Sequence, residues 1–229
     1  MEEHDIKKIY TIGIIGGTGK EGKGLAYRWA KAGYTIFLGS RVQDRAVQVA
    51  SDLGELLRGR LAGKIIGMEN REAVQKADVV VLTVPYSAHR ETLVALQDVI
   101  SGKILIDVTV PLVPPKVTRV QMPPEGSAAQ AAQVILGPNV QVVSAFQNIS
   151  YEHLMHEEQI DCDVLVCGGS KAAKQVVLEL VRAAGLTGWD AGPIENSMVV
   201  EGLTSILIGI NKQFGTQSAG IRITGVSRD

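Results

Sequence analysis

An α/β chain built on a doubly wound parallel sheet is predicted by three features. Strand-like and helix-like segments alternate, the strand-like runs are continuously apolar, and the first of them feeds a glycine cluster. A run such as Val79-Val80-Val81-Leu82 belongs in a strand covered on both faces, because a half-solvated strand would alternate. The cluster reads Gly16-Gly17-Thr18-Gly19-Lys20-Glu21-Gly22, with Gly17, Gly19 and Gly22 at G-x-G-x-x-G spacing. Glycine there lets the strand turn tightly, lets backbone approach a pyrophosphate and lets the helix pack on the strand. Free N–H groups at the helix start then meet the phosphate charge. The expected fold is a Rossmann-type sheet gripping a dinucleotide.

Strand one is expected over 9–15 and helix one over 20–32, stopped by Gly33. Strand two, 35–38, runs into Gly39-Ser40-Arg41, with Arg45 one helical turn further on. An NAD site places a carboxylate about 20 residues after the glycines to hold the ribose 2′-hydroxyl, and none stands there. A hydroxyl at Ser40 and guanidinium forks at Arg41 and Arg45 suit a phosphate dianion instead, so the nucleotide is read as NADP(H). A helix follows over 43–57, then a short strand at 65–67 and a helix over 70–76 capped by Asn70. Next come a buried strand over 78–83 ending at Val84-Pro85, a helix over 87–100 and a strand over 103–107.

The rhythm then breaks. Five of the eight prolines, Pro111, Pro114, Pro115, Pro123 and Pro124, fall between 110 and 127, which predicts an irregular excursion over the surface or across a site. A helix over 128–136 and a strand over 141–145 follow. Beyond them lie a strand over 163–167, a helix over 170–184 stopped by Gly185, a short strand reaching Trp189-Asp190 and an apolar helix over 195–210.

A chain of 229 residues, 45% hydrophobic, has ample material for a core, and a net charge of −1 offers no footprint for nucleic acid. No apolar run reaches the roughly 18 residues of a membrane span, and Met1-Glu2-Glu3-His4-Asp5 lacks the character of a secretory signal, so a cytoplasmic protein is expected. Cys162 and Cys167 read as buried small hydrophobes rather than as a disulfide framework.

Ligands of open α/β sheets sit outside the carboxyl ends of the strands. Those ends are 16–22, Ser40-Arg41, Thr83-Val84-Pro85-Tyr86, Asp107-Val108-Thr109 and Phe146-Gln147-Asn148-Ile149-Ser150. The site is read as roofed by apolar and neutral polar groups, suited to a hydride transfer that depends on alignment and water exclusion, and no catalytic acid or base is assigned. His153-x-x-His156, with Glu157 and Asp161 nearby, leaves a third metal ligand unspecified and reads as a solvated helix face, so no metal is expected. His89 either faces the nicotinamide ribose or lies partly exposed on its helix. Ser170 and Ser197 read as helix caps.

The Gly16-Gly17-Thr18-Gly19 and Gly22-Lys23-Gly24-Leu25-Ala26 segments, followed by Gly39-Ser40-Arg41, resemble the N-terminal signature of the F420-dependent NADP oxidoreductases. Leu82-Thr83-Val84-Pro85, Pro111-Leu112-Val113-Pro114, Val142-Val143-Ser144-Ala145, Val166-Cys167-Gly168, Asp190-Ala191-Gly192-Pro193 and the stretch from Leu203 to Asn211 match in order. The resemblance implies a nucleotide domain over 1–146 and a small α/β domain over 147–229, with the deazaflavin F420 in an apolar cleft between them. It implies that Gly17, Thr18, Gly19, Lys20 and Glu21 line the pyrophosphate, and that Ser40, Arg41 and Arg45 hold the 2′-phosphate. Val84, Pro85, Tyr86 and Val113 would border the nicotinamide, and Ala145, Gln147 and Ile149 the acceptor. Gln147 stands where relatives often carry histidine, and Tyr86-Ser87-Ala88 replaces an aromatic followed by histidine. An NADP-dependent reductase of an imine, ketone or metal complex, or a non-catalytic nucleotide sensor, fits the same residues. A homodimer is expected, with the helix 198–210 packing on its own domain or on a partner.

Overall fold

The computed structural model describes residues 10–60, 63–156 and 160–227; Ile9, residues 1–5 and Glu157 lie outside the described residues. In chain order the elements are β1 Thr11–Ile15, α1 Lys20–Lys31, β2 Thr35–Ser40, α2 Gln43–Leu56, β3 Lys64–Glu69, α3 Asn70–Lys76, β4 Val79–Leu82, α4 Tyr86–Leu96 and β5 Ile104–Asp107. They continue with α5 Ala128–Leu136, β6 Gln141–Ser144, α6 Tyr151–Leu154, β7 Asp163–Gly168, α7 Lys171–Ala183, β8 Thr187–Asp190, a 3-10 turn at Ile194–Asn196 and α8 Ser197–Phe214.

The strands form one sheet in the order β3-β2-β1-β4-β5-β6-β7-β8. Every pairing is parallel except β6 with β7. The chain works outward from β1 in one direction through β2 and β3, then in the other through β4, β5 and β6. That reversal opens a crevice above the ends of β1 and β4. The central strands are buried on both faces, as their unbroken apolar runs require: Val79, Val80, Val81 and Leu82 have no exposure.

Two apolar layers flank the sheet, one built on Ile14, Leu25, Trp29 and Val181, the other on Ile15, Leu82, Leu93 and Ala132. Trp29 of α1 meets Phe146 edge-on at 5.7 Å and donates its indole N–H to the Leu180 carbonyl of α7 at 2.8 Å. This tryptophan ties α1 to residues from 146 onward in a single core. Arg28, one residue earlier, donates to the carbonyl oxygens of His153, Leu154 and His156, pinning α6.

Boundaries moved where caps decided them. Pro85 is the N-cap of α4, so that helix starts at Tyr86; it ends at Leu96, short of the expected 100. The last helix runs Ser197–Phe214 rather than 195–210. Ser170 caps α7, accepting from the Ala173 N–H at 3.2 Å. Ser197 does not cap α8, because Asn196 holds that position. The helix face expected at His153 is the short α6, whereas a C-terminal segment beside β7 is unanticipated: there the Asp163 N–H donates to the Ile221 carbonyl at 2.8 Å.

Candidate active site

The glycine turn divides its labour. Gly16 holds φ +73°, the left-handed conformation that lets β1 fold back. Gly22 provides the close approach: a Cβ there would stand 2.7 Å from Gly17 Cα and 2.8 Å from Thr83 Oγ1. Gly17 donates its N–H to the Gly39 carbonyl at 2.9 Å, so it fastens the turn to β2 rather than facing a ligand. Asn70, expected to cap its own helix, instead accepts the Gly16 N–H on Oδ1 at 3.3 Å, while Glu69 is the N-cap of α3. The first turn of α1 has no side-chain cap, leaving its N–H groups for an anion.

A groove of about 590 Å³ runs from this turn across the end of β2. Thr18, Gly19, Ser40, Arg41 and Arg45 line it, as do Val84 and Pro85. Ser40 is buried and accepts the Val42 N–H at 3.2 Å, which fixes the chain bearing Arg41. Arg71 joins the wall, paired to Asp98 through both guanidinium nitrogens. No spacing rule links Arg71 on α3 to an aspartate 27 residues on, in the turn after α4, so the sequence carried no sign of that pair.

A second cleft, about 580 Å³, adjoins the groove and shares Thr83, Val84 and Pro85 with it. Tyr86, Gln147 and Ile149 line it as expected, together with Leu207, Ile208 and Asn211 of α8. Leu112 and Pro114 of the proline-rich excursion close one side, so that segment does cross the site. A volume of this size and apolar character suits one flat heterocycle. Four side-chain oxygens in the wall are sealed and unpartnered: Glu21 Oε1, Thr109 Oγ1, Gln147 Oε1 and Asn148 Oδ1. Buried polar atoms without partners are costly, and here that cost is concentrated on four atoms of the cleft wall.

Beneath the cleft Asp107 organises the floor. Its carboxylate lies 2.7 Å from His89 Nε2 and accepts the Thr109 N–H at 3.0 Å, and its carbonyl accepts Gln147 Nε2 at 2.7 Å. The last contact leaves Gln147 Oε1 as the free end of the amide. His89 therefore neither faces the ribose nor lies exposed; it is 2% exposed and turned to Asp107.

Carboxyl groups correct the acid-free expectation. Burial pushes Glu21, at the cleft wall, up to about 8. Glu201 of α8 is also pushed up by burial to about 8, although its two oxygens accept the Ala128 and Ala129 N–H groups at the start of α5. Only Glu21 belongs to the cleft wall, where one raised carboxyl stands among apolar and neutral polar groups; Glu201 lies outside the lining.

Four of the expected contacts fall outside both cavities. Gly17 serves the turn. Lys20 reaches away to the Tyr151 hydroxyl at 2.9 Å. Val113 is exposed, its place in the wall taken by Leu112 and Pro114. Ala145 lies in the core. Glu21 lines the acceptor side rather than the nucleotide groove. His153 and His156 sit on α6 and the turn after it, and among the described residues no group of three His, Cys, Asp or Glu converges on a metal position. Cys162 and Cys167 are free and buried.

A family model described as "NADP oxidoreductase coenzyme F420-dependent" matches residues 11–111. The F420-dependent NADP reductase of Methanocaldococcus jannaschii is 40% identical over 221 residues, covering 94% of this chain and 98% of that protein. The enzyme of that name from Methanothermobacter thermautotrophicus is 38% identical over 224 residues, covering 95% and 96%. Among solved structures, a putative F420-dependent NADP reductase from Arthrobacter superposes with a TM-score of 0.76 at 23% identity, covering 94% of this chain and 99% of that one. A pyrroline-5-carboxylate reductase from Coxiella burnetii shares the fold at a TM-score of 0.58 and 18% identity, covering 91% and 72%. By full-length likeness to the archaeal enzymes, this chain belongs to the family of F420-dependent NADP reductases.

Proposed function

We propose that the chain transfers a hydride between NADP(H), held in the groove from Gly16 to Arg45, and the deazaflavin F420, held in the adjoining cleft. The observation that carries this reading is the continuity of the two cavities at Thr83, Val84 and Pro85. Two rings lying on either side of that shared wall meet where one strand end borders both. Bound NADPH supplies a dihydronicotinamide able to give up a hydride, and the deazaflavin supplies a ring carbon able to take it. The chain's part is alignment and dryness: Ile149, Leu207 and Ile208 exclude water, while Thr109, Gln147 and Asn148 present polar edges that fix the acceptor in its plane.

Residues 1–146 act as the nucleotide domain and 147–229 as the unit that completes the cleft, through α8 and the segment after β6. A homodimer belongs to the same reading. On α8, Val199, Ile206, Ile210 and Phe214 are exposed large hydrophobics, spaced to share a helix face that a second copy would cover. Two buried free thiols suit the reducing environment of the cytoplasm.

Mixing the protein with NADPH and oxidised F420 and following the visible absorbance of the deazaflavin tests the central claim. Stereospecifically deuterated NADPH should deliver its deuterium to the ring. No turnover in either direction would overturn the deazaflavin assignment and favour a different small acceptor.

A further inference from the structure

Among the side chains lining the acceptor cleft the titratable groups are Glu21, Tyr86 and Tyr151. Burial raises the Tyr86 phenol, and the Tyr151 hydroxyl is engaged by Lys20. Glu21 differs from both. It projects from the first turn of α1, and its Oε1 is sealed in the wall without a partner. Around it, α1 contributes Lys20, drawn off to Tyr151 of α6, beside which Glu152 acts on Lys20; the end of β4 contributes the uncharged Thr83 and α4 contributes Tyr86. Among the described residues no cation pairs with Glu21, and burial raises its carboxyl. The start of α1 draws Glu21 toward its charged form, and a pyrophosphate bound there adds negative charge that offsets this pull and favours the neutral form.

The reaction of the preceding section needs a proton as well as a hydride: NADPH, oxidised deazaflavin and one proton give NADP+ and the dihydrodeazaflavin. We propose that Glu21 is the proton-bearing residue of the cleft, entering as a neutral carboxyl that hydrogen-bonds the acceptor ring and yields its proton to a ring nitrogen. The nicotinamide C–H bond breaks with both electrons and a C–H bond forms on the acceptor carbon. The Glu21 O–H bond breaks, its electron pair stays on the carboxylate, and an N–H bond forms on the acceptor. A solvent proton restores the carboxyl after release. In the reverse direction Glu21 enters as carboxylate and accepts the proton. This assignment rests on the deazaflavin reading.

The test begins without turnover. Carbon-13 NMR of glutamate-labelled protein, free and with NADP+, should show a carboxyl resonance titrating near pH 8 that is absent from Glu21→Gln. Glu21→Gln keeps the shape and a hydrogen-bond donor but holds no transferable proton. It should bind NADP+ and F420 within about threefold of the parent, yet lose about 100-fold in kcat for F420 reduction. A Glu21 carboxylate fully ionised at pH 6.5 would overturn the proposal, as would Glu21→Gln turning over within about threefold of the parent. A loss confined to KM would also overturn it, leaving Glu21 as wall only. Should Glu21→Gln not fold, the titration of the parent protein decides. Absence of parent turnover with F420 sinks the deazaflavin reading itself, whereas normal parent turnover with an undiminished Glu21→Gln sinks this assignment alone.

Discussion

His89 Nε2 and Asp107 Oδ2 lie 2.7 Å apart, joining α4 to the end of β5, with both side chains almost wholly buried. Asp107 also holds Gln147 through its carbonyl, so the pair supports an amide that lines the cleft. Removing one partner strands the other in a low-dielectric interior. His89→Ala should lower unfolding free energy by about 3–5 kcal/mol in urea titrations. Asp107→Asn, which keeps the shape and removes the charge, should cost less.

Arg41 and Arg45 line the groove at the end of β2, and on the proposed reading they set nucleotide choice. A charge-assisted contact to phosphate is worth about 1.5–3 kcal/mol, so Arg41→Ala should weaken NADP(H) by about 10- to 100-fold and leave NAD(H) nearly unchanged. Calorimetric titration with both nucleotides checks this, and equal affinity of the parent protein for the two would contradict it.

Ile149 lines the acceptor cleft and is absent from the nucleotide groove. Ile149→Trp should therefore leave NADPH affinity intact while the KM for F420 rises or kcat falls, the pattern of a lost acceptor pose. Steady-state kinetics with a direct NADPH binding measurement separates the two effects.

Glu201 makes stability fall as pH rises. Its folded carboxyl titrates at about 8, above the ordinary value of 4.5, so between those values the folded state keeps a proton that the unfolded chain has released. Stability is greatest at the acid end of that window and declines toward its alkaline end. Glu201→Gln should flatten the slope of Tm between pH 5 and 8.5, with Glu21 supplying the remaining slope because its shift has the same direction. A slope of opposite sign in the parent protein would contradict this.

His153 and His156 face no ligand in either cavity, and Arg28 grips their backbone carbonyls rather than their rings. His153→Ala and His156→Ala should keep most of the activity, and chelators should leave it intact. Losing three orders of magnitude in either variant would point to a metal or general acid at α6.

Local chemistry was enough to determine the fold class, the glycine turn and the polar set that lines the groove at the end of β2. Steric freedom at Gly16, the unbroken apolar run of β4 and the donor set of Ser40, Arg41 and Arg45 act within a few residues of one another, where backbone sterics and periodicity are legible. Packing between distant segments decided the rest. Asn70 is a plausible cap on its own helix until Gly16 arrives 54 positions away, and His89 is an ordinary helix histidine until β5 brings Asp107 against it. Whether a carboxyl stays charged depends on the water left around it, which no run of neighbouring letters encodes. Only the folded chain removes that water from Glu21 in the cleft wall and from Glu201 beside the start of α5, and so raises two carboxyls that the sequence alone presented as charges.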